Sequence, residues 1–339
     1  MKLIIPMAGR GTRVRPHSHT VPKPLLPVAG KMIVERIVET FARTLDRDID
    51  EIVFILGPDF GQEIKDALKA MSDRQDAEAR FRVQEQAEGT AHAVYCAEED
   101  LSGECIIVFA DTIFDMEGMV TIEDADSVVW LKEVDDPSRF GVAVEKAGKI
   151  TDFVEKPEEP ISNLAIIGVY YFKEAEQLKK EIEYLLENDI RGKGGEYQLT
   201  DALDRLLKDD KLFRKATVDQ WLDCGTLPAW LETSGIITEK EYEEIDEDRF
   251  PGTKIIPPVY IGDDVELENC VIGPKASIAE GSKLTKCTIK NSLIQEQADL
   301  ENCNIEDSTI GRHTELKDVD QEVHLGDHSK VGRLGSRHE

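Results

Sequence analysis

The fold is decided by Gly9-Arg10-Gly11-Thr12-Arg13-Val14-Arg15-Pro16, continued by Pro22-Lys23-Pro24-Leu25-Leu26-Pro27 and preceded by the apolar run Leu3-Ile4-Ile5-Pro6-Met7-Ala8. The apolar run predicts a buried opening strand. Glycines at 9 and 11 allow a tight turn that presents backbone N–H groups. Arg13 and Lys23 bring positive charge to the same turn. This combination predicts a loop that binds phosphate, and a nucleoside triphosphate is the expected guest.

Two common phosphate-binding loops do not fit this pattern. A dinucleotide-binding loop has a third glycine where Val14 stands, and a P-loop has Gly-Lys-Ser/Thr after four residues. The loop therefore belongs to a different class of nucleotide-binding protein.

Composition limits the other possibilities. With 339 residues, 40% of them hydrophobic, the chain is long enough for one large and one smaller domain. The first predicted strand begins at Lys2 and no apolar stretch approaches ~20 residues, so we expect no signal peptide, no membrane span and a cytoplasmic location. Six cysteines without a Cys-x-x-Cys pair predict reduced thiols.

The charge balance excludes polyanionic partners. The chain has 69 acidic against 41 basic residues, a formal charge of −28. This excess repels nucleic acid and anionic membranes, so we expect neither as a partner. A phosphate ligand is therefore expected to bind through local cations.

Alternating strands and helices predict an α/β domain over residues 1–235. A helix is predicted over residues 33–45 and strands over residues 51–56 and 105–109, which is typical of a doubly wound, mostly parallel sheet. A linker is predicted over residues 236–254, with a helix-like polar stretch at 238–248.

The C-terminal part contains a repeat. Apolar residues recur every five to seven positions from about residue 255, with Gly, Asn, Asp and Ser between them. Three such legs predict triangular coils of about 16–18 residues, which stack Cys270, Cys287 and Cys303 above one another. We therefore predict a short parallel β-helix of roughly four coils over residues 255–326 and a tail over 327–339.

These motifs resemble the sugar nucleotidyltransferases, which join a nucleoside triphosphate to a sugar 1-phosphate. The resemblance rests on residues 9–13 and 23–28, and further motifs follow in order at Gln84, Asp111, Gly141, Glu155-Lys156-Pro157, residues 196–201 and residues 221–226. Among the members of this family, the chain resembles the glucose-1-phosphate thymidylyltransferases most. Its repeat resembles the left-handed β-helices that many relatives carry.

The resemblance implies a reaction and site residues. It implies nucleotidyl transfer from dTTP to glucose 1-phosphate with release of pyrophosphate. It assigns Arg13 to the triphosphate and Lys23 to the phosphates at the reacting centre. The implied nucleotide-binding residues are Ala8, Gly9, Gly11, Thr12, Gln84, Gly89 and Thr90.

The base and the sugar are indicated by two other motifs. The amide of Gln84 can both donate to and accept from a pyrimidine edge. Residues 89–93, Gly-Thr-Ala-His-Ala, occur in uridylyltransferases as well, so UTP stays an alternative. Gly141, Glu155 and Lys156 are the implied sugar-phosphate residues. Ile-Ile-Gly at 166–168 replaces the Asn-Thr-Gly of relatives that use N-acetylglucosamine 1-phosphate, which favours glucose 1-phosphate.

Two carboxylates are candidates for a magnesium site. Asp111 follows a buried strand, and Asp223 lies in the motif at residues 221–226. Two carboxylates together with substrate phosphates suit Mg²⁺, which prefers few protein ligands. On spacing alone, a strand-end aspartate is more often a cap or turn residue. The resemblance assigns both to the metal.

The β-helix is expected to assemble the protein into a homo-oligomer. All assigned residues precede the linker, so the α/β domain is expected to fold and act without the β-helix. A non-catalytic sugar-nucleotide sensor or assembly subunit is the alternative of another class. Such a protein would be expected to have lost Lys23, Asp111 or Lys156, and all three are present.

Overall fold

A computed structural model describes residues 1–9, 11–118, 125–159 and 161–332 of the protein. Contacts divide the chain into two compact units: a sheet unit of Met1–Gly9 and Glu35–Trp221, and a β-helix unit of Arg10–Val34 and Leu222–Glu339. The loop that carries Arg13 and Lys23 therefore groups with the C-terminal repeat. The division predicted near residue 235 assigned that loop to the α/β domain instead.

Helices and strands alternate through the first two thirds of the chain. The α-helices of the described residues are α1 (Ile33–Thr44), α2 (Gln62–Asp73), α3 (Thr90–Tyr95), α4 (Ala175–Glu187), α5 (Leu199–Lys208) and α6 (Leu227–Lys240). The strands that precede α6 are β1 (Lys2–Pro6), β2 (Pro27–Val28), β3 (Lys31–Met32), β4 (Glu51–Leu56), β5 (Glu78–Val83), β6 (Cys105–Val108), β7 (Thr112–Asp115), β8 (Ser127–Glu133), β9 (Gly141–Lys146), β10 (Lys149–Glu155), β11 (Leu164–Phe172), β12 (Phe213–Thr217) and β13 (Gln220–Asp223). The helix predicted over 33–45 and the strand predicted over 51–56 are confirmed.

A mixed sheet, nine-stranded when counted over the described residues, forms the core of the sheet unit. Its order is β10-β9-β11-β6-β1-β4-β5, and β8 pairs with both β11 and β12. Strands β6, β1, β4 and β5 are parallel neighbours, so β1 lies between β6 and β4, with its apolar run buried. Strand β11 runs antiparallel to β6, β8 and β9. The predicted α/β class is confirmed. The apolar runs in the sequence did not indicate that some strands of the sheet are antiparallel.

Short parallel strands form the β-helix. They are β14 (Lys254–Ile255), β15 (Val259–Ile261), β16 (Glu266–Glu268), β17 (Val271–Ile272), β18 (Ala276–Ile278), β19 (Lys283–Thr285), β20 (Thr288–Lys290), β21 (Leu293–Ile294), β22 (Asp299–Glu301), β23 (Asn304–Glu306), β24 (Thr309–Ile310), β25 (Glu315–Lys317), β26 (His324–Leu325) and β27 (Lys330–Val331). They belong to three parallel sheets, to which successive coils contribute one strand each. The predicted β-helix is confirmed.

The spacing of the coils follows from the register of these sheets. Glu266 pairs with Lys283, and Glu315 pairs with Lys330, so coils become shorter toward the C-terminus. The backbone N–H of Cys287 donates to Sγ of Cys270 at 3.4 Å, as expected for stacked cysteines. Because β27 pairs in register, the β-helix continues past its predicted end at residue 326. Residues 333–339 of the predicted tail lie outside the described residues.

The region predicted as a linker, residues 236–254, is only partly helical. Helix α6 ends at Lys240, and only a 3₁₀ turn at Glu247–Arg249 follows within the predicted helix-like stretch 238–248. The apolar residues Tyr242 and Ile245 pack against the β-helix core. Both side chains are partly buried there.

No helix among the residues that the structure describes is both long and apolar enough to cross a bilayer.

Candidate active site

The carboxyl ends of parallel strands position the first group of predicted residues in the sheet unit. Ala8 and Gly9 follow β1, Gln84 follows β5, and Asp111 follows β6 after two residues. The backbone N–H of Gln84 donates to the oxygen of Leu56 at 2.8 Å, which continues the pairing of β4 and β5 up to this point. Ligands of open α/β sheets bind at this edge.

Gln84 is held in one orientation. Its side chain is buried, and its amide nitrogen donates to Nδ1 of His92 at 3.2 Å. Because the ring accepts at Nδ1, a neutral His92 carries its hydrogen on Nε2. The base-reading role of Gln84 stays a prediction, and the contact explains what His92 contributes to that position.

Gly89 requires the absence of a side chain. Its φ is +118°, and a Cβ there would lie 2.4 Å from the backbone oxygen and 2.7 Å from the backbone nitrogen of Tyr197. The hydroxyl of Thr90 accepts from the backbone N–H of Leu199 at 2.9 Å. The start of α3 therefore packs against residues 197–199, which belong to the motif at residues 196–201.

The predicted sugar-phosphate residues are brought together by the β9–β10 hairpin, in which Gly141 pairs with Glu155. A Cβ on Gly141 would lie 2.9 Å from Oε2 of Glu155. Nζ of Lys156 lies 3.6 Å from Oε1 of Glu155, and Lys156 is half exposed. Two residues that were given no role from the sequence complete this cluster. Thr200 donates to Oε2 of Glu155 at 3.4 Å, and Nζ of Lys193 donates to the backbone oxygen of Lys156 at 2.7 Å.

Two titratable groups near this cluster were given no role from the sequence, although Asp201 lies in the motif at residues 196–201. Burial, followed by the charges of Glu155 and Asp111, raises the pKa of Tyr170. Burial, followed by the charge of Glu155, raises the pKa of Asp201. Burial is the first cause of both shifts, and the charge of Glu155 adds to each. Lys193 lies between two glycines in the sequence, and this context could have identified it as a candidate binding residue. Tyr170 lies in an apolar segment typical of a buried strand, which gave no such signal.

The β-helix unit contains Arg13 and Lys23, the two cations predicted to bind the triphosphate and the reacting phosphates. We define the phosphate loop as residues 11–28; it contains 3₁₀ turns at Thr12–Val14, His17–His19 and Lys23–Leu25. Gly11 has φ +55°, and a Cβ there would lie 3.0 Å from Cβ of Lys23. Arg13 is exposed, whereas Lys23 is 9% exposed.

Arg13 and Asp223 converge on one glycine. A Cβ on Gly225 would lie 3.2 Å from Nη2 of Arg13 and 2.8 Å from Oδ1 of Asp223. Asp223 is exposed at the end of β13, and its Oδ1 accepts from the backbone N–H of Gly225 at 2.7 Å. The turn role considered for a strand-end aspartate is thus present. The β-helix unit therefore assembles a predicted phosphate cation beside a predicted metal ligand.

The chain is similar in sequence to a known protein family. The nucleotidyl transferase family profile matches residues 2–240, so the chain belongs to the nucleotidyl transferase family. Its relatives identify it more closely as a member of the sugar-1-phosphate nucleotidyltransferases.

Individual relatives differ in how much of the chain they share. The chain is 35% identical over 247 residues to the low-salt glycan biosynthesis nucleotidyltransferase Agl11 of Haloferax volcanii, covering 70% of this chain and 66% of that protein. It is 28% identical over 366 residues to a glucose-1-phosphate thymidylyltransferase of Streptomyces antibioticus, covering 98% and 99%. Several other curated relatives are matched over about half of their length.

A solved structure supports the fold. The crystal structure of a UDP-glucose pyrophosphorylase complexed with UDP-glucose has a TM-score of 0.57 at 24% identity, covering 71% of this chain and 99% of that chain. At this identity the likeness shows the fold alone.

Proposed function

We propose that the protein catalyses magnesium-dependent transfer of a nucleotidyl group from dTTP to glucose 1-phosphate, giving dTDP-glucose and pyrophosphate. The observation that carries the proposal is the grouping of Arg13 and Asp223 around Gly225, in the unit that also holds Lys23 against Gly11. The relative in Streptomyces antibioticus, which is similar over 98% of the chain, supports thymidylyl transfer.

The chemistry needs positive charge more than proton transfer. A phosphate oxygen of the sugar phosphate attacks the α-phosphorus, and the bond to the bridging oxygen of the β-phosphate breaks. Pyrophosphate leaves with the electron pair of that bond. The attacking phosphate monoester is already ionised near pH 7, so no general base is required. Arg13 and Lys23 stabilise the charge that gathers on the triphosphate.

The chemistry of each of the two predicted carboxylates suits a magnesium ion. Asp111 and Asp223 are exposed carboxylates at strand ends, which are the oxygen ligands that Mg²⁺ prefers. These two residues would hold the ion. When bound, it would neutralise charge on the substrate phosphates. Gly141, Glu155 and Lys156 would hold the sugar 1-phosphate, with Glu155 accepting from hydroxyl groups and Lys156 neutralising the phosphate.

A uridylyl donor is the second candidate, because Gly89 and Thr90 begin the motif that occurs in uridylyltransferases. Gln84 can pair with uracil as well as with thymine. The homo-oligomer and the cytoplasmic location stay predictions.

Pyrophosphate release, measured over a grid of nucleoside triphosphates and sugar 1-phosphates, tests the proposal. We expect the highest kcat/KM with dTTP and glucose 1-phosphate, and loss of most turnover when Mg²⁺ is chelated. Asp111→Asn and Asp223→Asn should each remove most magnesium-dependent turnover. Asp66→Asn, an exposed carboxylate on α2, is the matched control. No release with any pair of substrates would refute the reaction, and higher kcat/KM with UTP would move the assignment to the second candidate.

A further inference from the structure

His17 is a buried histidine of the phosphate loop whose ring contacts the β-helix. The residue is 1% exposed. Its Nδ1 lies 2.8 Å from Nε2 of Gln295, and its Nε2 lies 2.8 Å from Oγ1 of Thr309. The ring also meets the indole of Trp230 edge-on, with 5.1 Å between the ring centroids. The proposed reaction uses none of these side chains, so their arrangement requires another explanation.

The partners of His17 determine which nitrogen carries the hydrogen. The amide nitrogen of Gln295 only donates, so Nδ1 of His17 accepts and Nε2 carries the hydrogen. This N–H donates to Oγ1 of Thr309, which also lies 2.9 Å from Nδ1 of His324, within hydrogen-bond distance. Nε2–H of His324 donates in turn to Oε1 of Glu322 at 3.2 Å. These residues form a continuous hydrogen-bond chain in which the imidazole of His17 is neutral.

Thr20 of the phosphate loop makes a second contact with the β-helix. The hydroxyl of Thr20 donates to Oδ2 of Asp327 at 2.8 Å. The Asp327 side chain is 1% exposed and accepts from the backbone N–H and Nε of Arg312 at 2.8 and 2.9 Å. Pro16 packs against Gly326, where a Cβ would lie 3.1 Å from Cβ of Pro16. The last coil of the β-helix therefore packs against residues 16–20 and forms a hydrogen bond with them.

The same part of the loop is linked to the proposed phosphate cations. The hydroxyl of Ser18 donates to the backbone oxygen of Gly11 at 2.7 Å. Gly11 lies against Lys23, and Arg13 lies between Gly11 and His17 in the chain. A displacement of His17 would therefore move the backbone that carries both cations.

We propose that the β-helix is the scaffold of the phosphate loop, and that His17, held by Gln295 and Thr309, is a positioning residue for Arg13 and Lys23. The inference rests on the proposed function, in which these two cations bind phosphate. Isolated 3₁₀ turns hold a conformation poorly, so the loop needs a rigid surface behind it. Cations that are already in place stabilise a transition state without reorganisation. This role differs from the expectation that the α/β domain acts without the β-helix, which stays a prediction.

Thr309→Val in the full-length chain tests this role. Valine has the shape of threonine without the hydroxyl, so Nε2–H of His17 loses its buried acceptor. We expect hydrogen–deuterium exchange of the amides of residues 12–26 to become about ten-fold faster, the scale of one unsatisfied buried donor. We expect kcat to fall about ten-fold, with a smaller change in the KM for dTTP. Thr309→Ser restores the hydroxyl and should restore both quantities.

Thr288→Val, at an exposed position of β20, is the matched control and should leave exchange and kcat unchanged. The positioning role is overturned if Thr309→Val behaves like Thr288→Val, or if Thr309→Ser is as impaired as Thr309→Val. If Thr309→Val does not fold, His17→Phe against the exposed His19→Phe makes the same comparison. If the unchanged protein forms no nucleotide sugar, the proposed function fails, and the exchange rates still decide whether the β-helix holds the loop.

Discussion

The phosphate loop and the sugar-phosphate cluster are held in place by different means. His17 of the loop bonds Thr309, 292 positions away in the chain, through side chains alone. In the cluster, Gly141 and Glu155 are partners in one antiparallel hairpin, so strand pairing fixes them. The position of the phosphate loop therefore depends on side chains from distant parts of the chain, whereas Gly141 and Glu155 are placed by the pairing of two neighbouring strands. Substitutions in the two regions should therefore change different kinetic constants.

The largest effect is expected for Lys23→Ala in the phosphate loop. Lys23 is almost buried, and the proposed reaction gathers negative charge where this lysine acts. We expect kcat/KM to fall by the equivalent of about 2–4 kcal/mol, mostly in kcat, which is the scale of one preorganised donor. Steady-state pyrophosphate release checks this, with Lys69→Ala on the exposed face of α2 as the control. Near-normal kcat would remove Lys23 from the reacting centre.

The next effect concerns acid stability of the β-helix unit. Burial, opposed by the charge of Asp327 and assisted by that of His324, lowers the pKa of His17 from 6.5 to about 4. The unfolded chain therefore binds a proton at a higher pH than the folded chain. The stabilisation is complete above about pH 6.5 and is lost as pH falls toward 4, by up to roughly 3 kcal/mol.

Urea unfolding between pH 7 and pH 4.5 measures this contribution. His17→Gln should flatten the pH dependence of the free energy of unfolding, and His19→Gln in the same turn should leave it as it is. Equal slopes for both variants would show that His17 does not carry the acid sensitivity.

A smaller effect is expected in the sheet unit for Gly89→Ala. A methyl group would meet the backbone of Tyr197 at a positive φ, so the free energy of unfolding should fall by about 2–3 kcal/mol. Gly103→Ala is the matched control, because Gly103 has φ +64° with nothing within 4 Å of a Cβ. It should cost only about 1 kcal/mol of backbone strain. Similar losses for the two variants would mean that the contact with Tyr197 is not limiting.

The sequence predicted the elements whose signals are local. Apolar runs located β4 and α1, and the repeat located the β-helix with its stacked cysteines, because periodicity and burial follow from neighbouring residues. The pairing of Gly141 with Glu155 follows from a short hairpin. The hydrogen bond between His17 and Gln295 could not be predicted from local sequence. Nothing in residues 11–28 specifies which distant coil of the β-helix this segment contacts. Antiparallel β11 was missed for a related reason: an apolar run indicates burial but no direction.

The smallest effect is expected for Lys156→Ala, and it sharpens the contrast with the phosphate loop. Lys156 is half exposed, so water screens part of its charge, and the backbone around it stays fixed by β9 and β10. We expect the KM for glucose 1-phosphate to rise about ten-fold, equivalent to roughly 1.4 kcal/mol, while kcat and the KM for dTTP change little. Lys149→Ala, at the exposed start of β10, is the control and should leave all three constants unchanged. A loss confined to kcat would place Lys156 with Lys23 at the reacting phosphates, and the two regions would then no longer differ in the constant that they control.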